Sequence, residues 1–539
     1  MHRVAGPRVG CRLEPHVVGV GAARRTAHLE EQREPIGVRL GRASSEDECP
    51  RRRRHVDHRH GRAHRARVLR ARVLRARRSA VRHPAVARHS AIVVVPGELA
   101  GRPGRNDGVV PRVLLLLPTS TYRASEFLAA AERLGVEVVT GSDAPQALAF
   151  VMGDHFVELD LDDPEQAAGV VEQLGARVRL DAVVAVDDRG ALTAALASER
   201  LGLAHNSPAA VSATRDKATM RRLLAAAGVT QPAWRAIAGV PDDLGAEAVA
   251  IASAASTVGF PAVVKPCSLS GSRGVVRVDD ATAARVAAAR VRSIARDAGI
   301  PGSAPLLVER FVPGPEVAVE GIVRAGVLDV LAVFDKPDPL DGPYFEETIY
   351  VTPSRLSAAD LDAVGRLVAD ATAALGIVDG PVHGEVRLPH LARGGTGDDR
   401  GGAGANHGPV LVEVAARTIG GRCARTLSFS AGQSLEELVL RHALGLETGP
   451  RPVRDDEASG VMMLPVERSG TLERVDGLER ARAVRHVTGV EVTVSPGRPL
   501  RALPEGDRYL GFVFARAESP GEVEDALRAA HAALEVRIA

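Results

Sequence analysis

PVHGEVRL (381–388) and PVLVEVAARTIGG (409–421) are the two segments that decide how this chain folds. Each reads as an otherwise apolar strand with a glutamate at its centre, Glu385 in one and Glu413 in the other. The intervening GGTGDDRGGAGANHG (394–408) is a flexible Gly-rich loop, so the strands are expected to pair as a hairpin. A buried carboxylate costs several kcal/mol unless it is paired or bound to a metal. Two carboxylates on facing strands also repel, and a divalent cation between them is the economical explanation. The alternative has both glutamates facing solvent. Arg417 follows Glu413 at i+4, and Gly420–Gly421 permits close approach of a phosphate or a substrate carboxylate.

Upstream, FPAVVKP (260–266) is a strand ending on Lys265, followed by SLSGSRG (268–274) and the strand VVRV. Small residues at Ser270, Gly271, Ser272 and Gly274 would let backbone N–H groups approach phosphates. The same pattern also describes an ordinary hairpin turn. LVERFVPGPEVAVE (307–320) carries Glu309 at the end of an apolar strand and Glu316 beyond a Pro-Gly bend, and VLDVLAVFDK (327–336) returns as its partner strand. Lysine is rare: Lys217, Lys265 and Lys336 are the only three among 69 basic residues. A compact ammonium on a flexible stem suits placement of a point charge against phosphate. Codon bias in GC-rich DNA is the competing account.

The chain exceeds one core at roughly 100–200 residues per domain. RVLLLLP (112–118), the amphipathic STYRASEFLAAAERLG (120–135), VEVVTGSD (136–143), HFVELDLDD (155–163), a helix over 164–175 and DAVVAVDD (181–188) alternate as β-α-β units. They imply a doubly wound parallel sheet with Ser120 and Asp187–Asp188 at its carboxyl ends. Helices are expected over 206–228 and 357–375, and an α+β region ends in YLGFVFARA and a last helix. The expected domains are 1–110, 111–205, 206–449 and 450–539.

Charge divides the chain. Residues 1–110 hold 25 basic and 10 acidic residues, whereas 111–539 is acidic by 13 charges. The basic segment, with Arg51–Arg54 and the repeat RARVLRARVLRARR, lacks any sustained period and is expected to be disordered. A nucleic-acid or lipid arm, a transit-like extension and translation from upstream of the true start all fit it, and the last is favoured. No nucleic-acid partner is expected for 111–539. Four scattered cysteines suggest a reducing, cytoplasmic compartment. No apolar run reaches the ~18 residues of a membrane span.

Taken in order, Lys217, Lys265-Pro, SGSRG, ERFVPGPE, Glu385 and EVAARTIGG resemble the ATP-grasp superfamily. FDKPDPLDGPYFEETIYVTPS (334–354) and YLGFVFARAESPGEVEDAL (509–527) are similar to its L-amino acid ligase branch, which includes dipeptide-forming and carnosine-synthase-like enzymes. The resemblance covers about 111–539. It implies an N-terminal doubly wound α/β domain, a central ATP-grasp domain and a small C-terminal α+β domain. It further implies an ATP-dependent ligase that joins a small-molecule carboxylate to an amine through an acyl phosphate, with magnesium or manganese. A homodimer is implied by the resemblance alone.

Residue by residue, Lys217 and Lys265 would contact nucleotide phosphates, and the 270–274 loop would close over them. Glu309 would meet the adenine amino group, beside the Phe311–Val312 backbone, and Glu316 the ribose. Glu385 and Glu413 would ligate the metal, while Arg417 would bind phosphate or the substrate carboxylate. Glu346, Glu347, His383, Gly420 and Gly421 would surround the amino-acid substrate. Many superfamily members place Asn two residues after the second metal glutamate; Ala415 stands there, one oxygen ligand fewer. Two rival readings are another ATP-grasp carbon–nitrogen ligase or carboxylase-type enzyme, and a non-catalytic nucleotide- or nucleic-acid-binding protein.

Overall fold

A computed structural model of the chain describes residues 109–144, 153–392, 408–446 and 452–539. The expectations for the basic extension and for most of the Gly-rich loop between the glutamate strands fall outside these residues. The apolar run at 112–118 forms β1 (Arg112–Leu116), in which Val113 to Leu116 are fully buried. Such a run suits a parallel strand covered on both faces. With α1 (Ala124–Leu134), β2 (Glu137–Ser142), β3 (Phe156–Glu158), α2 (Pro164–Gly175), β4 (Ala182–Ala185) and α3 (Asp188–Arg200), it builds an all-parallel sheet of order β3-β2-β1-β4. Helices α2 and α3 cover one face through Val171, Leu174 and Ala197.

Two short helices, α4 (Pro208–Arg215) and α5 (Lys217–Ala226), lead into a small sheet. Asp216 caps α5 by accepting from Thr219 N, which fixes Lys217 at the first helical position. The sheet comprises β5 (Trp234–Ile237), β6 (Ala262–Pro266), β7 (Val276–Val278) and β8 (Leu306–Arg310), antiparallel in the order β5-β8-β6-β7. It packs on α6 (Leu244–Val258) and α7 (Ala281–Asp297) through Ile251, Val264 and Val291.

The remaining strands form one eight-stranded antiparallel sheet. They are β9 (Glu316–Arg324), β10 (Val327–Lys336), β11 (Ile349–Thr352), β12 (Gly380–Arg387), β13 (Val410–Ala415), β14 (Ala458–Leu464), β16 (Val487–Val492) and β18 (Gly511–Ala517). The order is β13-β12-β9-β10-β11-β14-β18-β16. The smaller strands β15 (Gly470–Asp476), β17 (Pro499–Leu500) and β19 (Glu535–Ile538) pair separately. Helix α8 (Ala358–Leu375) packs behind β12, where Gly384 lets it approach: a Cβ at Gly384 would stand 3.1 Å from both Val368 methyl groups.

Two features cross the domain limits expected from sequence. The helix α9 (Leu435–Ala443) sends Val439 and Leu440 to the N-terminal sheet, completing the face that α1 begins. The large sheet takes strands from both sides of the limit expected at 449/450, because β14 pairs with β11 as well as with β18. An edge at β11 would leave a row of backbone groups unpaired, and the C-terminal strands satisfy it. Among the described residues, no helix is long and apolar enough to cross a membrane.

Candidate active site

Glu385 and Glu413 are direct cross-strand partners in the β12–β13 ladder. A β-bulge follows immediately, so that Val386 pairs with Leu411 and Val412 is left over. The extra residue re-aims the strand. Leu411 and Val414 pack toward α8, while Val412 and Glu413 both face a cavity. Strict alternation would not have placed those residues so.

That cavity, of about 890 Å³, lies where the parallel sheet, the small sheet and the large sheet meet. Every site residue inferred from sequence lines it except Gly274 and Glu346. Gly274 sits behind the loop tip, with φ +74 and its N–H donated to Pro504 O at 2.8 Å. Glu346 points to the C-terminal region, where its carboxylate accepts from Val466 N. Burial raises its pKa.

All three lysines of the chain meet glutamates here. Lys217 Nζ is 3.0 Å from Glu413 Oε1 and donates to Leu269 O, tying the metal candidate to the 268–274 loop. Lys265 Nζ is 2.6 Å from Glu309 Oε2, and Arg221 Nε holds the other oxygen at 2.5 Å. Burial works against the Glu309 carboxylate, but the charges of Arg221 and Lys265 outweigh it and lower its pKa to about 2. Both oxygens of Glu309 hold basic groups, and the carboxylate anchors Lys265 beside the Phe311–Val312 backbone. Val312 O accepts from Arg387, and Phe311 lies between the guanidinium groups of Arg277 and Arg387.

Glu316, the expected ribose ligand, is likewise occupied. Its cross-strand neighbours are Lys336 on β10 and Arg387 on β12, at 2.6 and 2.8 Å from its two oxygens. Lys336 Nζ also reaches Glu347 at 2.7 Å and Glu385 at 3.2 Å. Glu316, Glu347 and Glu385 are the group of acidic ligand atoms, among the described residues, close enough to share an ion. The Lys336 ammonium already stands among them. Burial raises the pKa of Glu347 despite that ammonium. For Glu385, burial is outweighed by Lys336 and His383, which hold its carboxyl well below the usual range.

Glu385 and Glu413 are nevertheless suited to a divalent cation. Lys217 meets Glu413 at Oε1, and Lys336 and His383 meet Glu385 at Oε1. Both side chains are partly exposed to the cavity, at 18% and 26%, unlike Glu309 at 4%. Two hard oxygen donors on adjacent strands fit a cation that keeps several of its waters.

His383 sits opposite Glu320 on β9, with Nδ1 2.5 Å from Glu320 Oε1 and Nε2 3.4 Å from Glu385 Oε1. Burial alone would lower the imidazole pKa, but Glu320 and Glu385 raise it to about 9. Glu320 Oε2 also accepts from Ile419 N, fixing the segment after β13. From the N-terminal unit, Asp188 takes Arg417 Nε at 2.9 Å. Buried Arg123 reaches Thr418, Ile419 O and Glu436. The carboxyl ends of the parallel sheet thus hold Arg417 and the Gly420–Gly421 turn in place.

Lys336 was expected only as one of three rare lysines suited to phosphate, and Arg221, Glu320 and Arg387 carried no expected site role. The signal for two of them was present. Arg387 follows His383 and Glu385 at period two, and Glu320 follows Glu316 by four, so each shares the cavity face of its strand. Arg221 lies on a helix and carried no such signal.

Known proteins share parts of this chain's sequence and its fold. Residues 258–393 match the ATP-grasp domain, residues 128–205 the ATP-grasp N-terminal domain, and residues 462–539 the L-amino acid ligase C-terminal domain 2. The L-amino acid ligase from Bacillus licheniformis superposes with a TM-score of 0.64 at 26% identity, covering 80% of this chain and 99% of that one. Protein y4rH of Sinorhizobium fredii is 24% identical over 426 residues, 78% of this chain and 81% of that protein. Alanine–anticapsin ligase of Bacillus subtilis is 26% identical over 292 residues, 51% of this chain and 56% of that protein. The chain thus carries an ATP-grasp domain and an L-amino acid ligase C-terminal domain 2, and it is similar to ATP-dependent carbon–nitrogen ligases of that branch.

Proposed function

We propose that this protein uses ATP to join the carboxylate of one amino acid to the amine of a second small molecule. The observation that carries the reading is the facing pair Glu385 and Glu413 in one cavity with Lys217 and Lys265. A carboxylate oxygen of the first substrate attacks the γ-phosphorus of ATP, and the bond to ADP breaks. The amine then attacks the acyl carbon, losing a proton as phosphate leaves. Such chemistry depends on positioning and on charge stabilisation.

Lys217 and Lys265 contact the phosphates, and the Ser270–Gly274 loop covers them. Glu309, beside the Phe311–Val312 backbone, meets the adenine amino group and Glu316 the ribose, each carboxylate fixed by its basic partners. Magnesium, when bound through Glu385 and Glu413, would neutralise charge on the β- and γ-phosphate oxygens. Arg417 neutralises the transferred phosphate or the substrate carboxylate.

The test is a screen for ADP and amide formation, with magnesium, across amino acids offered singly and in pairs. Amide should appear with ADP in equal amounts for at least one pair. Glu413→Ala should abolish amine-dependent ADP release while keeping the native melting behaviour; full turnover by that variant would remove the metal assignment.

A further inference from the structure

The 501–509 loop, from the C-terminal region, touches both ends of the cavity. Toward the phosphate loop, Pro504 O accepts the N–H of Gly274 at 2.8 Å. Next to it, Glu505 takes Arg290 of α7 in a two-pronged ion pair, at 2.7 and 2.9 Å. The same guanidinium bonds Tyr344 and lies over its ring. Arg277, on β7, donates to Asp341 O and its N–H to Pro343 O, so the small sheet is tied to residues 341–344 as well. Gly274 is held between two prolines, because a Cβ there would meet Pro266 at 3.0 Å.

Toward the other end, Asp507, Arg508 and Tyr509 line the main cavity. Tyr509 meets Phe512, which also packs edge-on against Tyr122 of the N-terminal unit. On the ligase reading, this part of the cavity receives the substrate that accepts phosphate. A second, small cavity of about 40 Å³ separates Gly271 from Leu503, Gly506 and Tyr509, so the phosphate-loop tip and the 501–509 loop adjoin there. The base of the loop is fixed by Ala502 N donating to Ser469 and Gly506 N donating to Ala502 O.

We propose that residues 501–509 form a strap that couples occupancy of the amino-acid end to the position of the 268–274 phosphate loop. In it, Glu505 and Arg290 are positioning residues for phosphoryl transfer. A single exposed ion pair contributes little to stability. A contact that fixes one lobe over another acts instead through the coupling of two binding events, commonly a factor of five or more. The strap rests on the ligase reading, and its consequence is kinetic: with the loop held, the acyl phosphate meets the amine before water.

The experiment uses full-length protein with Glu505→Ala, Arg290→Ala and the charge exchange Arg290→Glu with Glu505→Arg. Each single variant should raise the KM for ATP about five-fold or more. Each should also raise the ratio of ADP released to amide formed, with the melting temperature unchanged. The exchanged pair should recover most of both. Unchanged KM and unchanged ratio in the singles, or no recovery in the exchange, would overturn the strap. Affinity for a non-hydrolysable ATP analogue, with the screened amino acid present, reads the same coupling without turnover. If the natural protein makes no amide, the ligase reading fails. The strap then stands only if analogue affinity falls in the singles and returns in the exchange.

Discussion

Lys336 holds three carboxylates, from Glu316, Glu347 and Glu385, within hydrogen-bonding reach of one buried ammonium. Removing one partner of a buried ionic group leaves uncompensated charge, a cost of about 3–5 kcal/mol. Lys336→Met should therefore destabilise the protein by that order in urea unfolding, far more than loss of a surface arginine. Lys336→Arg should not restore it, since a planar fork cannot replace a compact point charge among three converging groups. His383 gives a pH signature. Its pKa rises from 6.5 unfolded to about 9 folded, so the stability it contributes is complete below pH 6.5 and is lost as the pH climbs through 9. His383→Gln should flatten the fall in unfolding free energy over that interval. Glu309 acts in the opposite sense: its contribution is present above pH 4.5 and is lost as the pH falls toward 2.

At the scale of elements, the bulge in β13 and the helix α9 do work that their own sequences do not announce. The bulge turns Val412 and Glu413 together to the cavity, whereas period-two reading puts neighbours on opposite faces. The helix α9 opens on a capping box, Ser434 with Glu437, but was not among the helices expected from sequence. Its destination lay further out of reach, since Leu440 packs on a sheet more than two hundred residues earlier. Leu440→Ala should cost about 2–5 kcal/mol. The loss should appear as faster amide exchange in β1 and β4, a readout local to the parallel sheet; exchange confined to α9 would count against the packing described.

For the molecule as a whole, the eight-stranded sheet makes the ATP-grasp and C-terminal regions one cooperative body. A chain ending before β14 would expose the edge of β11 and remove the core of Ile349, Val351, Val513 and Leu527. Residues 109–457 expressed alone should be insoluble or should lack a sharp unfolding transition. A soluble, cooperatively melting fragment would show that the C-terminal region is separable.

The sequence by itself determined the elements and the inventory of the site. The periodicities at 112–116, 164–175 and 358–375 appear in the fold within a few residues, because local pattern suffices for strands and helices that face one core. Its rare lysines and central glutamates converge on one cavity, since charged groups inside apolar strands need partners. Only the tertiary structure decided which group serves which. Glu309 meets Arg221 on α5 and Lys265 on the neighbouring strand β6, whereas Glu316 meets Lys336 and Arg387 through the register of β9 with β10 and β12. The aim of Glu413 depends on a one-residue bulge, and the joining of the C-terminal region on the pairing of β11 with β14. Such long-range pairings follow from the geometry of the assembled sheet, and no local window of sequence contains them.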